Sequence, residues 1–282
     1  MKKIIIKLTG VYFNILAYVK PSLLKQKGYE LFCNPFSRKV LPHHLKFLET
    51  AEMFQFQFER KNVQAYKWGN GSKKVLLIHG WASNTFRWKK IIEKMKEDDF
   101  TIYAFDAPAH GLSEGKILNL LIYKNCLDAF LKEITTVDYA IAHSVGGFAL
   151  QYALHDNKEI DIKKAVIMGA PGEASDFFVF YKNLLSLNAK SMKLIIEQFK
   201  HELGYYPSYF SAKEFSKDIE IPILLIHDKD DKDTDSKYTE TLSEVIKNSR
   251  LLLTEGLGHN LKSKELDYEI INFIKEEVQV YY

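Results

Sequence analysis

The chain is 282 residues long, enough for one enlarged α/β domain, and its 46% apolar content allows a sizeable core. A formal charge of +3 without a compact Lys/Arg cluster argues against a nucleic-acid partner. Two cysteines, Cys33 and Cys126, argue against a disulfide framework and fit a reducing, cytoplasmic compartment. At the amino terminus, Lys2-Lys3 before Ile4-Ile5-Ile6 resembles the start of a secretory signal. Lys7, Thr9-Gly10 and Asn14 interrupt the apolar run, however, and no small-x-small cleavage site follows. The stretch is also too polar to span a bilayer. Ile4, Leu8, Val11, Ile15 and Val19 recur at helical spacing and give one apolar face. That face is expected to pack on the protein's own body, with contact to a membrane interface as the minor alternative. Residues 1–50 are accordingly read as a helical extension packing on the core, with Pro35 and Pro42 in a connector, and 51–282 as the main domain.

Phe54, Phe56 and Phe58 alternate with Gln55, Gln57 and Glu59, the pattern of a half-buried strand, and 62–68 supplies an antiparallel partner. Val75-Leu76-Leu77-Ile78 is continuously apolar, as suits a parallel strand covered on both faces, and it ends at His79-Gly80-Trp81. An oxyanion hole needs backbone N–H groups aimed where negative charge develops. The N–H of Trp81, or of Ala82 beside it, is one candidate at this strand end. Thr101-Ile102-Tyr103-Ala104-Phe105 reads as the next buried strand and runs into Asp106-Ala107-Pro108-Ala109-His110-Gly111-Leu112-Ser113. Here the chain resembles the α/β-hydrolase family, whose strand-end signature Asp-x-Pro-x-His-Gly-x-Ser this segment matches. The resemblance extends roughly from Lys61 to the C-terminus, apart from one insertion. It implies an α/β fold with a mostly parallel central sheet, helices on both faces and a short helical lid. It also implies that Asp106 and His110 shape a loop rather than perform chemistry.

Val137-Asp138-Tyr139-Ala140-Ile141 then leads into Ala142-His143-Ser144-Val145-Gly146, and 147–153 is compatible with a helix. Strand, sharp turn and helix make the context of a nucleophile elbow, with Ser144 as nucleophile and the Val145 N–H as the second oxyanion donor. The positions two before and two after the serine must be small, and Ala142 and Gly146 are, although alanine replaces the usual glycine at 142. After the strand 165–169 comes the insertion, about 171–218, where the family commonly carries a lid. Ten aromatics fall in it, and helices are expected at about 175–186 and 189–203, the second ended by Gly204. These aromatics either pack the lid or line an apolar acyl pocket.

In this fold the acid and the histidine follow the serine in that order. Ile221-Pro222-Ile223-Leu224-Leu225-Ile226-His227 reads as a strand running into an aspartate-rich turn. Registering Asp228 on the family's glycine places the acid at Asp231, with Asp230 as the fallback. Asp231, Asp233 and Asp235 alternate like a calcium loop. Ser236 and Leu242 stand where such a loop needs glycine and a bidentate glutamate, so no metal is expected. Residues 250–254 form the last strand, and His259 lies in the glycine-flanked loop beyond it. The resulting expectation is a serine hydrolase of the Ser144, Asp231 and His259 type, without cofactor. It would cleave a small-molecule carboxylic ester or thioester with an apolar acyl group. Other chemistry on the same residues, such as C–C hydrolysis, acyl transfer or perhydrolysis, and a non-catalytic binding role are the alternatives.

Overall fold

The computed structural model describes residues 2–36 and 40–276. Its strands are β1 (Glu52–Phe58), β2 (Lys61–Trp68), β3 (Lys73–Ile78), β4 (Phe100–Phe105), β5 (Tyr139–His143), β6 (Lys164–Met168), β7 (Ile223–Asp228) and β8 (Ser249–Thr254). They form one eight-stranded sheet in the order β1-β2-β4-β3-β5-β6-β7-β8. β1 and β2 pair antiparallel, β2 joins β4 antiparallel, and the ladders from β4 through β8 are parallel. The antiparallel edge expected from the phenylalanine alternation is therefore present. The helices are α1 (Lys2–Val19), α2 (Pro21–Phe32), α3 (Pro42–Leu48), α4 (Lys89–Met95), α5 (Leu120–Ile134), α6 (Val145–Asp156), α7 (Ala174–Leu185), α8 (Ala189–Leu203), α9 (Ala212–Ser216), α10 (Ser236–Val245) and α11 (Lys264–Lys275).

Val75 to Ile78, Ala140 to Ala142 and Ile223 to Ile226 are fully buried, as unbroken apolar strands must be when both faces of a sheet are covered. Parallel strands expose their carboxyl ends at one edge of such a sheet, the place where open α/β sheets bind ligands. The ends of β3, β5 and β7, and the loop after β8, carry the residues considered below.

Contacts divide the chain into two units. Of the described residues, one unit comprises those up to Asn34 together with Glu173–Glu214, and the other those of Pro35–Gly172 and those from Phe215 onward. In the first unit α1 and α2 pack with α7 and α8. A Cβ on Gly10 would lie 1.7 Å from the Leu185 carbonyl oxygen, so α1 approaches α7 as closely as glycine permits. Asn14 locks the same junction: its amide donates to the Ser186 carbonyl (3.0 Å), and its oxygen accepts from Asn188 N–H (2.9 Å) and the Ser191 hydroxyl (2.8 Å). Phe32 stacks on Phe178 at 4.2 Å, Phe178 meets Phe199 at 5.0 Å, and Phe199 meets Phe210 at 5.7 Å.

Two expectations are revised. The expected extension is 1–50, but contacts group the described residues up to Asn34 with the insertion's helices and place α3 with the sheet. The face of α1 also differs. Ile4, Leu8, Val11, Ile15 and Val19 are exposed, whereas Gly10, Phe13, Leu16 and Ala17 are buried. A helix with two apolar faces offers periodicity on both, and the face with Gly10 and Ala17 lets a neighbour come close.

Candidate active site

Ser144 lies between the end of β5 and the first residue of α6, with φ +55, a left-handed conformation that costs a side-chain-bearing residue energy. Its N–H donates to the Met168 carbonyl at 2.8 Å, which ties the turn to β6. Two glycines make room for it. A Cβ on Gly80 would come within 2.8 Å of the Ser144 Cβ, and one on Gly146 within 2.4 Å of the His79 carbonyl oxygen.

His259 sits in the loop after β8, where Gly256 and Gly258 take positive φ. Its Nε2 is 2.9 Å from Ser144 Oγ and its Nδ1 is 2.8 Å from Asp231 Oδ2. The structure thus brings together Ser144, His259 and Asp231. Asp230, the fallback, instead accepts the Gly256 N–H at 3.0 Å. Asp228 stands at the family's glycine position and is buried; its carboxylate accepts from Thr254 Oγ1 (2.7 Å), Leu257 N–H (2.9 Å) and Asp230 N–H (3.0 Å). The aspartate there braces the loops that carry Asp231 and His259.

Burial pushes the Asp231 carboxyl up, but hydrogen bonds from His227, His259, Thr234 and Asp233 outweigh it and hold the group well below the usual carboxylate range. Asp231 Oδ1 accepts the N–H groups of Asp233 (2.8 Å) and Thr234 (3.1 Å), while Oδ2 accepts the Thr234 hydroxyl (2.9 Å) and lies 3.3 Å from His227 Nε2. An anionic acceptor beside Nδ1 fixes the tautomer that leaves Nε2 facing the serine.

Neither the Trp81 nor the Val145 N–H has an acceptor among the described residues. The Ala82 N–H, the alternative donor, is bound to His110 Nε2 at 3.0 Å. His79 orients the Trp81 donor. Its Nδ1–H donates to the Gly80 carbonyl at 2.8 Å, and that carbonyl shares a planar trans peptide with the Trp81 N–H. Its Nε2 accepts the Ala107 N–H at 2.9 Å. Burial, reinforced by the Arg87 charge, pulls His79 down to about 4, so the ring is neutral and can accept and donate at once. Asp106 accepts from Thr85 N–H (2.8 Å), Leu112 N–H (2.9 Å) and the Tyr66 hydroxyl (2.9 Å), all contacts that shape the loop.

A family model described as "Serine aminopeptidase, S33" matches residues 69–213, just over half of the chain. The chain belongs to this α/β-hydrolase family. Among curated proteins, a pimeloyl-[acyl-carrier protein] methyl ester esterase of Hamiltonella defensa is 32% identical over 56 residues, which span 20% of this chain and 21% of that protein. This α/β hydrolase therefore matches about a fifth of the length of that relative. Among solved structures, a bromoperoxidase from Bacillus anthracis superposes with a TM-score of 0.62 at 17% identity, covering 80% of this chain and all of that one. An esterase from Exiguobacterium antarcticum gives 0.60 at 15% identity over 77% of this chain and 96% of its own. A monoacylglycerol lipase from Paleococcus ferrophilus gives 0.59 at 18%, covering 75% and 98%. At these identities the likeness is one of fold.

Three further residues of the candidate site are assigned no role by the sequence motifs. His227 joins Asp231 as described, and its Nδ1 faces Thr239 Oγ1 at 2.5 Å. Thr234 bridges Asp231 and the Gly169 carbonyl (3.2 Å). His143, inside the elbow, donates from Nε2 to the His259 carbonyl at 2.7 Å and holds that loop. Its position next to the serine was the one available signal. Asp231, Asp233 and His259 also offer ligand atoms within 4.8 Å of one another. Asp231 and His259 already use theirs on each other, so a cation there would compete with the serine–histidine pair.

Proposed function

We propose that the protein hydrolyses carboxylic esters or thioesters through an acyl-enzyme on Ser144. The reading rests above all on the unbroken chain of Ser144 Oγ, His259 and Asp231, at 2.9 and 2.8 Å. His259 Nε2 takes the hydroxyl proton as Oγ attacks the carbonyl carbon. It then returns that proton to the leaving alcohol or thiol, and water repeats the cycle to free the acid. Asp231 orients the imidazole and stabilises its charged form. The N–H groups of Trp81 and Val145 receive the developing oxyanion, a contribution of about 2.7–4 kcal/mol per donor in comparable sites. No cofactor takes part in these steps.

Ester rather than other acyl chemistry is favoured by the relatives' names, esterase and lipase among them. An apolar acyl group is suggested by the insertion's own unit, where a cleft of about 410 Å³ is lined chiefly by Phe178, Val179, Met192, Ile196 and Pro207. We read 171–218 as the lid on this basis. The buried thiols of Cys33 and Cys126 are free, which suits a cytoplasmic setting. A panel of p-nitrophenyl esters tests the reading. kcat/KM should rise with acyl length by up to about fourfold per methylene (about 0.8 kcal/mol) over a few carbons and then fall. A profile that peaks at acetyl removes the acyl-binding role of the insertion; no turnover of any ester removes the activity.

A further inference from the structure

Helix α1 presents two apolar faces, and only one is used. The inner face of Gly10, Phe13, Leu16 and Ala17 is buried. The outer face carries Ile4, Ile5, Leu8, Val11, Tyr12, Ile15, Tyr18 and Val19, each 44 to 65% exposed. The polar residues of the helix are turned elsewhere: Asn14 binds Ser186, Asn188 and Ser191, and the Thr9 hydroxyl bonds back to the Ile5 carbonyl. On neighbouring α7, Val179, Phe180 and Leu184 are exposed as well. Soluble proteins rarely leave so continuous an apolar stripe facing water.

Charge shows what covers it. The chain has six lysines, at 2, 3, 7, 20, 25 and 27, before its first acidic residue, Glu30. Lys3 and Lys7 are exposed at one end of the stripe and Lys20 at the other, and the Lys190 ammonium rests 4.0 Å from the Tyr18 ring centroid. A second copy of the chain would fit this pattern poorly. Antiparallel pairing of two α1 stripes brings Lys3 and Lys7 against Lys20, parallel pairing brings each lysine against itself, and no acid on the helix compensates. An anionic lipid surface has the complementary charge above an apolar layer, with an interfacial zone suited to Tyr12 and Tyr18. No helix among the described residues is long and apolar enough to cross a membrane, so the geometry is that of a helix lying on it.

We propose that α1 docks this hydrolase on anionic bilayers, its outer stripe entering the boundary between headgroups and acyl chains and its lysines meeting lipid phosphates. The test is co-sedimentation of the full chain with phosphatidylcholine vesicles with and without phosphatidylglycerol. Binding should require phosphatidylglycerol and weaken as salt is raised. Each of Lys3→Gln and Lys7→Gln should lower the partition coefficient about fivefold. Leu8→Ser with Ile15→Ser should lower it at least about tenfold, while thermal stability and hydrolysis of a soluble short-chain ester stay unchanged. Protein that remains in the supernatant with both vesicle types overturns the proposal. So does equal binding to both, because the lysines then carry nothing. A dimer in sedimentation velocity that Leu8→Ser with Ile15→Ser dissociates, without vesicle binding, assigns the stripe to self-association instead.

Discussion

At the residue scale, the proposed reaction depends on which aspartate reaches His259. Asp228, Asp230, Asp231 and Asp233 lie within one turn, yet Asp231 alone of the four lies within hydrogen-bonding distance of Nδ1 in the described structure, at 2.8 Å. Asp231→Asn should therefore lower kcat by up to about 10⁴-fold, because an amide supports the wrong imidazole tautomer. Asp230→Asn, whose amide oxygen can still accept the Gly256 N–H, should change kcat little. Steady-state kinetics of the two variants decide; a crippled Asp230→Asn beside an active Asp231→Asn moves the role to the fallback residue. Ser144 and His259 were legible because the elbow and the glycine-flanked loop are local patterns. Asp231 needed the family register, since an aspartate-rich turn offers four equal candidates until the chain folds. His227 was not legible in its role, because its approach to Asp231 depends on how the end of β7 curls into the following turn.

At the scale of elements, α7 and α8 fall within one residue of their expected bounds, and α8 carries local punctuation at both ends. Asn188 caps α8 by accepting the Ser191 N–H, and Gly204 ends it with φ +81. The ten aromatics of 171–218 divide by position. Phe178, Tyr181, Phe199 and Phe210 are buried in their own unit and Phe177 is half-buried there, Phe215 stacks on Tyr152 at 4.5 Å in the sheet unit, and Phe180, Tyr205, Tyr206 and Tyr209 keep substantial exposure. Periodicity alone could not choose the packed face of α1, because both faces are apolar; Gly10 settles it through its contact with α7. Gly10→Ala should force α1 away from the Leu185 carbonyl at a cost of about 1–3 kcal/mol. Limited proteolysis should then cut the amino-terminal segment faster than in the wild type, whereas Val11→Ala, at an exposed position, should leave the rate unchanged. Equal rates for both variants contradict the packing described.

At the scale of the molecule, the sheet unit carries three buried histidines held neutral. His79 is drawn to about 4 and His110 to about 3, both chiefly by burial, and burial also holds His143 well below its ordinary value. In the unfolded chain each titrates near about 6.5. Above that pH they cost nothing. As pH falls below it, the unfolded state gains protons that the folded state refuses, so stability drops by up to about 1.4 kcal/mol per pH unit for each group. For His79 and His110 the loss continues down to about 4 and 3. Asp231 adds a separate acid loss, because its depressed carboxyl stabilises the fold above the ordinary carboxylate range and that contribution disappears as pH falls through its lower folded value. Calorimetry from neutral pH to pH ~5 should show Tm falling, with protons taken up on unfolding; a flat or rising Tm contradicts buried neutral imidazoles. The parallel sheet was legible from its unbroken apolar strands. The pairing of the amino-terminal helices with the insertion was not, because it joins segments more than 130 residues apart that share no sequence pattern.

The central claim is that Ser144 is an activated nucleophile, and covalent labelling by a fluorophosphonate tests it most directly. Ser144 Oγ–H faces His259 Nε2 at 2.9 Å, so it should attack phosphorus and expel fluoride, leaving one adduct per chain. Intact-mass analysis and peptide mapping should place that adduct on Ser144, with labelling abolished in Ser144→Ala and strongly slowed in His259→Ala. Labelling that persists in Ser144→Ala, or folded wild-type protein that never labels, contradicts the account.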